Sequence, residues 1–266
     1  MILLETCTLS ATAGSGSADQ KTLYKNLNLK IHAGENWAIL GPNGCGKTTL
    51  MHNLAGLTEP ESGTINLGNK PIKSWAHKKR AQQIGILFQQ EETLFPASVF
   101  ETVLTGRHPH IMARGLQAVF DWEDNEDFAI AEQALNDVGL LSLKDRSITT
   151  LSGGEWRRVM IAALLAQKTS ITLYDEISNH LDLNHQQKIL KHITKQVTDG
   201  NRANLFVLQD INQALRHCEY GLLLFDNGQH MTGPLQEIIS ESTLAELYHC
   251  PFTVLEHTQG NIFLPS

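Results

Sequence analysis

The chain has 266 residues, 41% of them hydrophobic, with 21 basic against 28 acidic side chains and a formal net charge of −7. That length suits one core with an inserted subdomain, and the acidic balance excludes a broad basic face for nucleic-acid phosphates. Cys7, Cys45, Cys218 and Cys250 form no C-x-x-C pair and read as reduced thiols, neither a disulfide framework nor a zinc site.

No apolar run reaches the roughly 18–20 residues that span a bilayer. The best run, 159–166, is flanked by Arg157, Arg158 and Lys168. Residues 1–10 carry neither a basic leader nor a long apolar stretch. The expectation is a cytoplasmic protein without direct membrane insertion, which reaches a membrane only by docking on another chain.

In chain order, residues 11–20 are small, polar and Gly/Ser-rich and read as a flexible loop. Asn36–Leu40 (NWAIL) reads as a buried strand, 47–55 as a helix and Gly56 as its stop. A short strand and turn follow at 63–68, then an apolar run at 84–88. Over 89–160 strand-like runs are scarce and helical patterning dominates. The acidic stretch Asp121-Trp122-Glu123-Asp124-Asn125-Glu126-Asp127 there reads as a solvated loop or helix start. Residues 171–174, 205–208 and 222–225 are three more candidate buried strands, and Asn227-Gly228 is a hairpin-turn signal. The alternation predicts an α/β fold with a mainly parallel sheet. The whole chain, 1–266, reads as one domain. Its α/β core is 1–88 with 161–266, and 89–160 is a helical insertion. There is no internal repeat.

Gly41-Pro42-Asn43-Gly44-Cys45-Gly46-Lys47-Thr48 fills every fixed position of G-x-x-x-x-G-K-[ST], between a strand and a helix. The glycines let successive backbone N–H groups wrap a β-phosphate, and the helix start adds a favourable dipole. Lys47 then reaches the β- and γ-phosphates and the Thr48 hydroxyl binds Mg²⁺, with Thr49 completing the nucleotide-binding set. Asp175 and Glu176 end the run 171–174. An acid at the tip of a buried parallel strand can hold Mg²⁺, and a second carboxylate beside it can polarise an attacking water. Cys45 lies at a helix start beside a lysine, which predicts a lowered thiol pKa and raised reactivity. The competing reading is a small space-filling residue.

Ser152-Gly153-Gly154-Glu155 is a capping box before an apolar run. Trp156, Val159, Met160, Ala163 and Leu164 follow on one helical face. The two glycines are unexplained by capping. They leave the helix start bare, which suits a phosphate arriving from outside.

With Leu151 in front, this segment (LSGGE) resembles the signature motif of the ATP-binding subunits of ABC transporters. The resemblance runs over about 3–252, with the motifs in the family's order. Gln89, with Gln90 adjacent, matches the Q-loop glutamine. Asp175 and Glu176 match the magnesium aspartate and the catalytic glutamate, and Asn179-His180-Leu181-Asp182 matches the D-loop. The resemblance implies a P-loop NTPase (ABC ATPase) core with an antiparallel β subdomain and an inserted helical subdomain. It implies ATP and Mg²⁺ as cofactors, with Thr48, Gln89 and Asp175 at the metal and Gln89 sensing the γ-phosphate. It further implies a head-to-tail homodimer in which Ser152, Gly153 and Gly154, with Asp182 nearby, meet the ATP held by the partner's Lys47. ATP closes such a dimer and hydrolysis at Glu176 reopens it. The implied partners are integral-membrane permease subunits and a substrate-binding protein, with no nucleic acid. The implied place is the inner face of the cell membrane.

The chain departs from the family's pattern at three points. Gln209 stands where a switch histidine is expected. It can donate a hydrogen bond but cannot carry a positive charge. Two readings compete: hydrolysis is slowed while ATP-driven dimerisation survives, or glutamine supplies enough positioning. Retention of Glu176 favours slowed but present hydrolysis. Residues 9–14 hold no aromatic for adenine, and Tyr24, the nearest, lies too far along. Ile177 replaces a common proline. The stretch Val99-Phe100-Glu101-Thr102-Val103-Leu104-Thr105-Gly106-Arg107-His108-Pro109-His110 resembles importers of iron-siderophore, heme and cobalamin type, although importers of molybdate and other metals are similar here. His108 and His110 read as surface or partner-contact side chains rather than metal ligands. The alternative class is a soluble ABC ATPase not coupled to transport, but no tandem cassette, coiled insertion or basic tail is visible. A P-loop kinase or GTPase would not explain LSGGE or the D-loop.

Overall fold

The computed structural model describes all residues except 15–20, 89–95, 112–124, 180, 257 and 259. These residues form two units, Met1–Ser74 with Val197–Ser266, and Trp75–Gln196.

The first unit opens with β1 (Ile2–Ala13) and β2 (Lys21–His32), paired antiparallel with Thr6 opposite Leu29. Leu27, Leu29 and Ile31 are buried and alternate with exposed Asn28 and Lys30, the two-residue period of a half-covered sheet. The loop expected over 11–20 is not what the structure shows at its start, and 15–20 lie outside the described residues. Ala11, Thr12 and Ala13 pair with Tyr24, Thr22 and Lys21. Ladder pairing satisfies their backbone groups and overrides a loop-like composition. Next come β3 (Asn36–Leu40), buried at every position, and α1 (Lys47–Leu54). β4 (Ser62–Leu67) and β5 (Lys70–Pro71) complete an antiparallel sheet of order β2-β1-β4-β5.

The second unit contains α2 (His77–Ala81), β6 (Ile84–Leu87), α3 (Val99–Leu104), α4 (His108–Ile111), α5 (Asn125–Asp137), α6 (Gly153–Gln167), β7 (Ile171–Asp175) and α7 (Leu183–Lys195). β6 and β7 run parallel, with Leu87 opposite Tyr174. A Ser98–Glu101 capping box starts α3. Arg107 and Asp127, both buried, form an ion pair at 2.7 Å, and Arg107 also donates to the Ala166 carbonyl at 2.8 Å. His110 Nε2 lies 2.8 Å from the Gln167 carbonyl. The segment containing Arg107 and His110 therefore ties the helices together.

α6 departs from the one-face expectation. Val159, Ala163 and Leu164 are buried as expected, but so are Ile161, Ala162 and Ala166, while Trp156 and Met160 are half-buried. α3 and α5 both pack on this helix, so apolar residues are needed round much of its circumference.

The chain returns to the first unit with β8 (Ala203–Val207), α8 (Ile211–His217), β9 (Tyr220–Leu224), β10 (His230–Pro234), α9 (Leu235–Ile238), α10 (Glu241–Tyr248), β11 (Phe252–Leu255) and β12 (Ile262–Pro265). β3 lies parallel between β8 and β9, with Ala38 opposite both Phe206 and Gly221. Burial on both faces explains why these strands read as unbroken apolar runs. β9 and β10 form the hairpin signalled by Asn227-Gly228, where Gly228 has φ +81°. The result is the expected α/β fold, with mainly parallel core strands, a separate antiparallel sheet and helices.

Candidate functional site

β3 delivers the chain at Leu40 and α1 takes over at Lys47, so the intervening residues must turn sharply. Gly46 caps α1 at φ +105°, and a Cβ there would come within 2.8 Å of Leu23. A Cβ on Gly41 would run into the Leu224 carbonyl. Lys47 is 8% exposed, and its Nζ donates to the carbonyls of Gly41 at 2.7 Å and Pro42 at 2.8 Å. Lys21 Nζ donates to the Gly44 carbonyl at 3.2 Å. Two ammonium groups and a helix start thus converge on one tight loop, an arrangement that can receive a polyphosphate. Asn43, Gly44 and Thr48 are exposed, and Pro42 and Thr49 are half-buried.

Cys45 departs from the reactive-thiol expectation. It is 1% exposed, and burial pushes its thiol pKa up against the pull of Lys47. Desolvation of the thiolate outweighs the nearby positive charge, so the space-filling reading applies. Tyr24 is wholly buried, with its hydroxyl on Asn53 Oδ1 at 2.5 Å, and offers no face to adenine. Gln209 is exposed just beyond β8, in the same unit as the glycine loop.

The second unit holds the carboxylates. Asp175 ends β7 and is 3% exposed. Glu176 follows with φ +51°, a left-handed backbone that is rare for a residue with a long side chain. Asn179 Nδ2 donates to Glu176 Oε2 at 2.5 Å, and the Asn179 backbone N–H donates to the Glu176 carbonyl at 3.2 Å. Arg157 donates to the carbonyls of Phe88, Asp175 and Glu176. Asp182 is the N-cap of α7, accepting from the His185 N–H at 2.9 Å. That bond and a second to the His185 ring hold its carboxyl below the usual range. The Thr48 hydroxyl and the Asp175 carboxylate are hard oxygen donors, a chemistry that fits Mg²⁺. Gln89, Gln90 and His180 lie outside the described residues.

The capping box forms as expected at the start of α6. Ser152 Oγ accepts the Glu155 N–H at 3.3 Å, and Glu155 Oε2 accepts the Ser152 N–H at 2.8 Å. The Ser152 backbone N–H, then its hydroxyl, holds the Glu155 carboxyl below its usual range. A Cβ on Gly153 would meet nothing within 4 Å. A helical glycine costs about 0.5–1 kcal/mol relative to alanine. Packing therefore does not require this glycine, and the first turn of α6 is left open.

One unit thus carries the glycine loop and Gln209. The other carries Ser152, Gly153, Gly154, Asp175, Glu176 and Asp182. Sequence reasoning missed Lys21 and Arg157. Neither stands in a motif that assigns it a partner, since Lys21 is distant in sequence from Gly44 and Arg157 reads as a helix flank.

A strand, a glycine loop and a helix that opens on lysine define a P-loop nucleoside triphosphatase core. The ABC transporter family model matches residues 24–179, and the chain belongs to that family as an ATP-binding subunit with ATPase activity. The ferric enterobactin transport ATP-binding protein FepC of Escherichia coli K12 is 35% identical over 227 residues, covering 85% of this chain and 82% of that protein. The hemin import ATP-binding protein HmuV of Escherichia coli O157:H7 is 33% identical over 246 residues, 90% of this chain and 91% of that one. A metal-chelate type ABC transporter, solved in an inward-facing conformation, matches with a TM-score of 0.82 at 27% identity, covering 100% of this chain and 98% of that one. A dimeric ATP-binding cassette in a post-hydrolysis state, bound to ADP and Pi, matches with a TM-score of 0.76 at 27% identity, over 87% and 98%.

Proposed function

We propose that the chain powers an importer of iron-siderophore, heme or cobalamin-type cargo, docked on permease subunits at the inner membrane face and served by a substrate-binding protein. The loop 41–48 with Thr49 cradles the phosphates of ATP, with Lys47 on the β- and γ-phosphates. Thr48, Gln89 and Asp175 would hold Mg²⁺, which would supply charge neutralisation when bound. Glu176 orients and deprotonates the attacking water, and Gln209 positions the γ-phosphate without carrying charge. Ser152, Gly153 and Gly154, with Asp182, complete the nucleotide site of a second copy, so the working form is a homodimer. The helices α3, α5 and α6 form the part that receives the permease.

The observation that carries this reading is one glycine loop and one open, capped signature turn on the same chain. The similarity to ferric enterobactin and hemin import proteins supports the cargo class.

Reconstitution with its permease tests the proposal. ATPase and uptake of a ferric siderophore or hemin are compared for wild type, Glu176→Gln and Gln209→His. The expected outcome is coupled uptake in wild type, loss of both activities in Glu176→Gln and a faster ATPase in Gln209→His. Undiminished turnover in Glu176→Gln removes the assigned base, and no gain in Gln209→His rejects the slowed-site reading. ATPase activity without a membrane partner or uptake would place the chain among soluble ABC ATPases.

A further inference from the structure

Arg157 is 6% exposed, yet it lies only two residues beyond LSGGE, at the start of α6. A guanidinium out of water is costly unless its donors are matched. Nη1 donates to the Phe88 carbonyl at 2.5 Å, and Nη2 donates to the carbonyls of Asp175 at 2.8 Å and Glu176 at 2.9 Å. These carbonyls lie where the chain leaves the two paired strands β6 and β7. One planar fork therefore fixes both exits at once, which a point-charge ammonium does less well. Glu176 sits just past the second exit in a left-handed backbone conformation, φ +51°. Such a conformation persists where the surroundings over-determine it. Arg157 on its carbonyl and Asn179 on its carboxylate are two such constraints.

We propose that Arg157 is a positioning residue for ATP hydrolysis. It sets Glu176 in register with the signature helix. This inference rests on the reading of Glu176 as the base. Arg157 follows Gly153 and Gly154 by about one helical turn. A displacement of that turn is therefore passed to the Glu176 backbone through a single side chain. In the proposed dimer, the nucleotide met by the signature thus adjusts the carboxylate that works on the other nucleotide.

Arg157→Met and Arg157→Gln are compared with wild type in steady-state ATPase, each also in a Glu176→Gln background. A misplaced catalytic group predicts a fall in kcat of roughly 10- to 100-fold. KM for ATP stays within about threefold, because binding is untouched. Neither variant lowers the residual rate of Glu176→Gln further, since both changes disable one group. A purely structural role would not produce that non-additivity. Thermal melting and ATP binding report folding, and the shorter polar variant Arg157→Gln carries the comparison if Arg157→Met does not fold. Failure of both to fold overturns the positioning role, as does unchanged kcat in a folded variant. An equal proportional loss in the Glu176→Gln background overturns it too. The reading of Glu176 fails separately, if Glu176→Gln alone keeps wild-type turnover.

Discussion

Cys45 and Glu176 show how neighbours decide what a side chain does. Local sequence gives Cys45 both usual causes of an acidic thiol, a helix start and an adjacent lysine, but burial outweighs them. At pH 7.5, iodoacetamide is expected to label exposed Cys7 on the order of tenfold faster than Cys45, read by peptide mass spectrometry. Equal rates would mean that the loop thiol is accessible. Glu176 was legible as an acid after an apolar run, whereas its left-handed backbone was not. That conformation depends on donors from Arg157 and Asn179, and only folding brings Arg157 near.

Among the elements, the start of α6 is the most informative. Its capping box was legible in full, because the spacing S-x-x-E is itself the geometry of the cap. Its glycines were legible as leaving the helix start bare, and the fold adds that a Cβ on Gly153 would meet nothing within 4 Å. Gly153→Ala is expected to stabilise the protein by up to about 1 kcal/mol in thermal or urea unfolding. The same change should lower ATPase activity by crowding the turn. A variant with wild-type activity would argue that no phosphate approaches there.

The cap also carries a pH signature. The Glu155 carboxyl is held below its ordinary value of 4.5, chiefly by the Ser152 backbone N–H. A depressed carboxyl contributes stability that is present above its unfolded pKa and lost as pH falls through the folded one. The melting temperature of wild type should therefore exceed that of Glu155→Gln at neutral pH, with the gap closing below about pH 4. A gap that persists at pH 3 would assign the effect to something other than charge. At the same scale, the residues expected to form a loop from 11 onward showed the limit of composition. Ala11, Thr12 and Ala13 join a ladder because β2 supplies partners for their backbone groups.

For the whole molecule, the proposed reading of one glycine loop and one signature per chain is function by association. In the proposed reading, ATP binds across two copies and favours the closed pair by its differential affinity. Glu176→Gln with ATP should run as a dimer in size-exclusion chromatography with light scattering, and as a monomer with ADP. Lys47→Ala should stay monomeric in both. A Glu176→Gln protein that is monomeric at saturating ATP would reject nucleotide-driven closure. In the same proposed reading, Gln209 bears on how long the closed pair lasts, because glutamine can orient a phosphate but cannot carry a proton charge to it.

By itself, the sequence determined the core strands β3, β6, β7, β8 and β9, the glycine loop, the capped signature and the acid pair. Each of these is written in short-range spacing, and short-range spacing sets backbone geometry and hydrogen-bond partners directly. Only the tertiary structure decided that Cys45 is a buried filler, that Tyr24 is a core residue, that Arg107 belongs to a buried ion pair and that Arg157 grips three carbonyls. Those outcomes depend on desolvation and on contacts between residues far apart in the chain, and no local pattern encodes either.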